Sequence, residues 1–239
     1  MCTVSLVPHP DSLNGFVLTS NRDEAVSRNT LAPEKRRFRG VQMYYPMDEK
    51  AGGTWIGVSE FQRCICLMNG ADKPHAREPE YRKSRGVVVK EFLAARKIKP
   101  YLKSYNYEGI EPFTMIIVDW YKGLAFFELL WDGQEYRFKK LPFREHIWSS
   151  SPLYSEEMKA LREQWFQELK KSKGYKPESI LDFHHNAGEG NLEHDLIIDR
   201  GFLKTQSISQ IHNSKSDLKF WYKNLKNNEV VEDYLQFRA

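Results

Sequence analysis

The chain has 239 residues, 41% hydrophobic and 28% charged, which is the balance of a globular domain and excludes a fibrous, disordered or membrane-embedded chain. Its 36 Lys and Arg against 32 Asp and Glu leave a net charge of +4. That is too mild to argue for nucleic acid, and the basic clusters Lys35-Arg36-Arg37 with Arg39 and Lys170-Lys171 with Lys173 read as solvated surface. No apolar run reaches the length of a bilayer span; the best candidate, Met115 to Val118, is strand-sized. The first residues carry no charged leader, and Pro8, His9 and Pro10 interrupt the apolar stretch Val4 to Val7, so a cytoplasmic location is expected.

Taken in chain order, Cys2 to Val7 and Phe16 to Ser20 read as strands joined by the turn residues 8–15. Thr54 to Ser59 and Arg63 to Asn69 form a second hairpin. Ser84 to Ile98 is a candidate helix with Val88, Val89, Phe92 and Ala95 on one side. Phe113 to Asp119, Leu124 to Trp131 and Glu135 to Lys140 form a meander, with Gly123 and Asp132-Gly133 at its turns. Glu156 to Lys171 is the clearest helix: Met158, Leu161, Trp165 and Leu169 recur at helical spacing and Ser155 can cap it. A shorter helix, Glu178 to His185, follows Pro177. Leu203 to Ile211, Leu218 to Tyr222 and Val230 to Phe237 are three further strands. With no repeat and no low-complexity linker, residues 1–239 read as one domain of the α+β class.

Three cysteines do not make a disulfide framework here. Alternation sends Cys64 and Cys66 to one strand face and Ile65 to the other, so the pair reads as buried and inert. Cys2 differs, because the first hairpin brings a polar tetrapeptide to it. If Val7 pairs with Phe16, Cys2 lies opposite Asn21, and Asn21-Arg22-Asp23-Glu24 ends beside the start of the chain. Residue 2 is small enough for removal of Met1, which leaves Cys2 a free α-amine. That amine, with an ordinary pKa of about 7.7–8.0, can take the proton of its own thiol, ordinarily near 8.5. Arg22 then favours the thiolate and orients a carbonyl or carboxylate, Asp23 holds the amine, and Asn69, before Gly70, offers an oxyanion donor.

Met1-Cys2, Asn21-Arg22-Asp23-Glu24, Gly52-Gly53-Thr54-Trp55-Ile56-Gly57 and Asn69 together resemble the NRDE family, which includes the transport and Golgi organisation protein 2 of animals. Ser84-Arg85-Gly86 and Lys204-Thr205-Gln206-Ser207-Ile208 extend the similarity along the chain. The resemblance implies an N-terminal-nucleophile hydrolase-like αββα sandwich, four layers built on two mainly antiparallel sheets. It also implies kinship with cysteine amidohydrolases and acyltransferases, with Cys2, Arg22, Asp23 and Asn69 in the catalytic roles and Asn21 in a substrate-binding one. Where relatives often carry a Ser-Asn pair before the long helix, this chain has Ser149-Ser150-Ser151-Pro152. Where they carry Arg-Thr in the late strand, it has Lys204-Thr205. Ser151 and Lys204 therefore take the substrate-binding positions. The expected reaction is cleavage or transfer of a small amide or thioester, without a cofactor. The alternative is a carrier for a haem-like or acyl ligand on the same scaffold.

His184, His185 and His194, with Glu189, Glu193 and Asp195, surround a Gly-rich stretch. They match no recognised metal-ligand spacing and read as an exposed loop, with a role at the mouth of a ligand pocket as the alternative. The six tryptophans read as core or sheet-face residues; Met43, Tyr44, Tyr45 and Met47 read as core packing, with the lining of an apolar ligand site as the alternative.

Overall fold

The computed structural model describes residues 2–214 and 217–237, and of Cys2 the main chain only. Strands β1 (Cys2–Pro8) and β2 (Phe16–Ala25) open the chain. They are followed by β3 (Thr30–Phe38), β4 (Val41–Asp48), β5 (Ile56–Ser59) and β6 (Arg63–Asn69). Helices α1 (Arg85–Leu93) and α2 (Ile98–Ser104) precede β7 (Phe113–Asp119), β8 (Ala125–Trp131) and β9 (Tyr136–Lys140). After β10 (His146–Ser149) come α3 (Glu156–Ser172) and α4 (Pro177–Asn186), then β11 (Leu203–Asn213), β12 (Leu218–Asn224) and β13 (Val230–Tyr234). Among the described residues, no helix is long and apolar enough to cross a membrane.

These elements form two compact units. One is drawn from the chain up to Arg28 and from Phe143–Gln236, the other mainly from Asn29–Pro142. No linker composition marks the crossings, which is why the sequence reads as continuous.

The first unit is an antiparallel sheet of order β10-β1-β2-β11-β12-β13 with α3 and α4 on one face. Val7 and Val17 pack there against Phe166, Leu169, Ile180, Phe183 and Leu196. The buried stripe of α3 is Arg162, Phe166 and Leu169. It shares Leu169 with the stripe read from hydropathy but replaces Leu161 and Trp165 by Arg162 and Phe166, one position on, because the buried face includes a charged residue. Ser155 caps the helix as expected, accepting from the Met158 N–H at 3.3 Å.

The first hairpin settles a register. Val7 pairs with Val17, Leu6 with Leu18, Ser5 with Thr19, Thr3 with Asn21 and Cys2 with Arg22. This is one residue away from the expected pairing, and a one-residue slip exchanges the faces. The physical reason is visible in the pairs, since Val meets Val, Leu meets Leu, and hydroxyl meets hydroxyl or amide. The expected register would have set Ser5 against Leu18. The loop that permits it needs a glycine at Gly15, where a Cβ would fall 2.4 Å from the Asn213 carbonyl oxygen.

The second unit is the sheet β3-β4-β5-β6-β7-β8-β9, an antiparallel meander in chain order. Helix α1 buries Val88, Val89, Phe92 and Leu93 against Met43, Tyr45, Ile65, Met115 and Ile117. Its N-terminus sits against the Gly-Gly-Thr-Trp segment at backbone contact: the Thr54 N–H donates to the Gly86 carbonyl at 3.1 Å. A Cβ on Gly53 would lie 2.7 Å from the Gly86 Cα. The helix expected to run to Ile98 stops at Leu93, and α2 starts afresh at Ile98. Pro100 is tolerated in a first turn but would break the ladder inside one long helix. Strand β3 was not legible as a strand, because it is an edge strand whose charges, Lys35, Arg36 and Arg37, mask its alternation;. Strand β4, buried on both faces, does not alternate;. Cys64 and Cys66 are fully buried, and burial pushes the Cys64 thiol well above its ordinary value.

Candidate functional site

The site candidates of the first unit gather at the open end of β1. β2 and β10 flank this strand, with Thr3 opposite both Asn21 and Ser149. Running backwards along β1 corresponds to running forwards along β2. The main-chain nitrogen of Cys2 is therefore at the Asp23 end of the Cys2–Arg22 pair. Ser150 and Ser151, both buried, leave β10 at the same end of the sheet. Removal of Met1 and the Cys2 thiol lie outside the described residues.

Arg22 is 3% exposed, and its Nη1 donates to the Arg28 carbonyl at 3.3 Å. Asp23 is fully buried and tightly held. The Tyr154 hydroxyl donates to Oδ2 at 2.5 Å and the Thr205 hydroxyl to Oδ1 at 2.7 Å. Thr205 Oγ1 itself accepts from the Ile198 N–H at 2.9 Å, which fixes its proton toward Asp23. Burial pushes the Asp23 carboxyl above its ordinary range, while the Tyr154 hydroxyl, the Arg162 charge and the Thr205 hydroxyl pull it down.

Arg162, missed by the sequence reading, is a fully buried cation. Its guanidinium lies 3.6 Å from the centroid of the Tyr154 ring. Nη1 donates to Thr3 Oγ1 at 2.8 Å and to Ser149 Oγ at 3.4 Å. Nη2 donates to the carbonyls of Asp195 at 2.6 Å and His194 at 3.0 Å, and Nε to His194 at 3.2 Å. One side chain thus ties the start of β1, the end of β10 and the loop after α4. The only sequence signal was its position at helical spacing from Phe166 and Leu169.

Asn21 sits on the helix face of the sheet, fully buried. Its amide donates to the His184 and Leu196 carbonyls at 3.0 and 2.7 Å, and its Oδ1 is 2.6 Å from His184 Nδ1. His184 Nε2 is 2.8 Å from the Ser5 hydroxyl. Because Oδ1 only accepts, Nδ1 carries the proton and Nε2 accepts from Ser5. His184 is thus a buried, neutral residue inside α4 rather than part of an exposed loop, and burial depresses its pKa to about 3. The Gly-rich stretch folds onto Asp195, which accepts the N–H groups of Glu189 and Gly190 at 3.0 and 2.9 Å.

Lys204 and Thr205 divide their roles. Thr205 contacts Asp23, whereas the Lys204 ammonium, 43% exposed, pairs with Asp199 at 2.7 Å. Asn69 belongs to the second unit. It ends β6, opposite Phe113, half-buried, and the chain then turns at Gly70, whose φ is +83°.

The family described as Transport and Golgi organisation 2 matches residues 1–222. No curated protein matches the sequence. Solved structures do match. A conjugated bile acid hydrolase from Clostridium perfringens, solved as a cysteine-to-alanine mutant, superposes with a TM-score of 0.59 at 10% identity, over 98% of this chain and 92% of that one. Penicillin V acylase from Agrobacterium tumefaciens gives 0.60 at 11% identity, over 98% and 86%. The Caenorhabditis elegans N-acylethanolamine-hydrolyzing acid amidase ortholog gives 0.59 at 9% identity, over 88% and 92%. The chain therefore has the N-terminal-nucleophile hydrolase fold, of the α+β class expected from its sequence, with a helix layer on each of two antiparallel sheets.

Proposed function

This chain belongs to the Transport and Golgi organisation 2 family, and we propose that it is a cysteine amidohydrolase or acyltransferase of the N-terminal-nucleophile type, acting on a small amide or thioester. The observation that carries this reading is the pairing of Cys2 with Arg22, next to an Asp23 held by two hydroxyl donors. Opposed residues of an antiparallel pair share a face, which is the physical ground for assigning Arg22 to the thiolate. The backward direction of β1 is the ground for assigning Asp23 to the amine.

In this reading Met1 is removed and the Cys2 thiol proton passes to the freed α-amine. The thiolate forms a bond to the substrate carbonyl carbon, and the carbonyl electrons move to oxygen. That oxyanion is received by N–H donors, a backbone N–H among them. As it collapses, the carbon–nitrogen or carbon–sulfur bond breaks, and the leaving group takes the proton from the α-ammonium. Water or an acceptor amine then gives a proton to the α-amine and attacks the acyl carbon, and the carbon–sulfur bond breaks to free the Cys2 thiolate. Ser151 is assigned to a hydrogen bond with the substrate, in the place where relatives carry Asn, and Lys204 to an anionic group on it. Asn21, expected at the substrate, has its side chain engaged with α4 instead and is assigned to holding this end of β2.

Intact mass of the protein should show Met1 missing. An acylating thiol probe should then label Cys2, spare Cys64 and Cys66, and fail on Cys2→Ala. A retained Met1 excludes the α-amine as base. An unlabelled Cys2 in a protein that still binds an acyl compound or haem favours the carrier.

A further inference from the structure

Asp23 and Arg162 are an acid and a base, both fully buried, separated by a phenol. The Tyr154 hydroxyl lies 2.5 Å from Asp23 Oδ2 while its ring covers the Arg162 guanidinium at 3.6 Å. Among the described residues no carboxylate lies within ion-pair distance of Arg162, whose N–H groups all go to carbonyls and hydroxyls. A buried cation without a carboxylate in contact is costly unless its charge is answered nearby. Here Asp23 answers it through Tyr154. The same guanidinium holds Thr3, the residue after Cys2, so one cation steadies both the carboxyl and the strand that carries the nucleophile.

Resting on the reading of Cys2 as nucleophile, we infer that Tyr154, backed by Arg162, is a positioning residue that holds the Asp23 carboxyl in the orientation that receives the α-amine of Cys2. With Tyr154 on Oδ2 and Thr205 on Oδ1, the carboxyl plane is fixed and each oxygen keeps a second lone pair for an ammonium. The reactive state is a thiolate beside an ammonium. Arg22 stabilises the first, and an ionised Asp23 the second. Other charged groups around Asp23 are Glu24 and Arg22 on its own strand and Arg200, whose guanidinium is 5.5 Å from the centroid of the Tyr154 ring. On β11 the neighbour of Thr205 is Lys204, paired with Asp199.

Tyr154→Phe removes a donor that favours the carboxylate, so Asp23 must then lose its charge at a higher pH. The experiment is the rate of Cys2 labelling by an acylating thiol probe between pH 4 and 9, on the full chain. Thermal unfolding at pH 8 checks that each variant is folded. The acid limb should move up by about one pH unit in Tyr154→Phe, roughly a tenfold loss of rate below the limb. The plateau at high pH should remain. Thr205→Val removes the donor on the other oxygen and should move the limb the same way; it serves as the readout if Tyr154→Phe does not fold. A labelled wild type whose limb stays in place in the folded variant overturns the inference and leaves the nucleophile standing. A wild type unlabelled at every pH overturns both.

Discussion

His184 Nδ1 donates to the Asn21 side-chain oxygen at 2.6 Å, while the Asn21 amide donates to the main-chain carbonyl of His184 at 3.0 Å. This reciprocal, fully buried pair seats α4 on β2 and makes the fold sensitive to acid. The imidazole is held neutral in the folded state, with a pKa near 3 against 6.5 unfolded.

A histidine with a depressed folded-state pKa contributes stability that is fully present above 6.5 and is lost as pH falls towards 3;. As pH falls from 6.5 to 5, urea unfolding should lose stability from this group with a slope that rises towards about 1.4 kcal/mol per pH unit. His184→Gln should be less stable at pH 7 and should flatten that slope. An unchanged slope would show that the proton is taken up elsewhere.

Arg162→Met should destabilise the first unit by roughly 3–5 kcal/mol. The change strands the His194 and Asp195 carbonyls and leaves Asp23 buried without its compensating cation. Equilibrium urea unfolding measures it. A loss below about 1 kcal/mol would mean that water replaces the guanidinium.

Gly53→Ala and Gly86→Ala should each destabilise the second unit, by about 1–3 kcal/mol or more. A Cβ on Gly53 meets the Gly86 carbonyl carbon at 2.6 Å, and one on Gly86 meets the Thr54 nitrogen at 2.9 Å. Both contacts are to backbone, which cannot swing aside. Gly40→Ala is the control, since nothing lies within 4 Å there, although its φ of +82° carries a strain of its own;. Thermal unfolding ranks the three.

Cys64 and Cys66 should resist alkylation in the folded protein at pH 8. Both are fully buried, and burial keeps the Cys64 thiol protonated;. Peptide mass mapping should find them modified only under unfolding conditions. Modification at the rate of a free thiol would place them outside the packed sheet.

Much of the packing of the two hairpins was readable from residues close in sequence. Alternation placed Cys64 and Cys66 on the face opposite Ile65, and Ile65 packs with α1. The correct register of the first hairpin was also present in the sequence as pairs of like side chains, Val7 with Val17 and Leu6 with Leu18. Loop length alone does not select it; matching of side chains across the strands does.

What the sequence by itself determined was that Arg22 and Asp23 return to the neighbourhood of Cys2, because a strand, a turn and a strand allow little else. Tertiary structure decided what those residues touch. Tyr154, Arg162, His184 and Thr205 lie from 131 to 182 residues away from the partners they hold. Arg162 looks like an ordinary helix-surface cation until α3 is laid on the sheet. Periodicity reports which face of an element is apolar. It does not report which buried polar groups on another element will need a donor, because that demand exists only once the two elements have packed and excluded water.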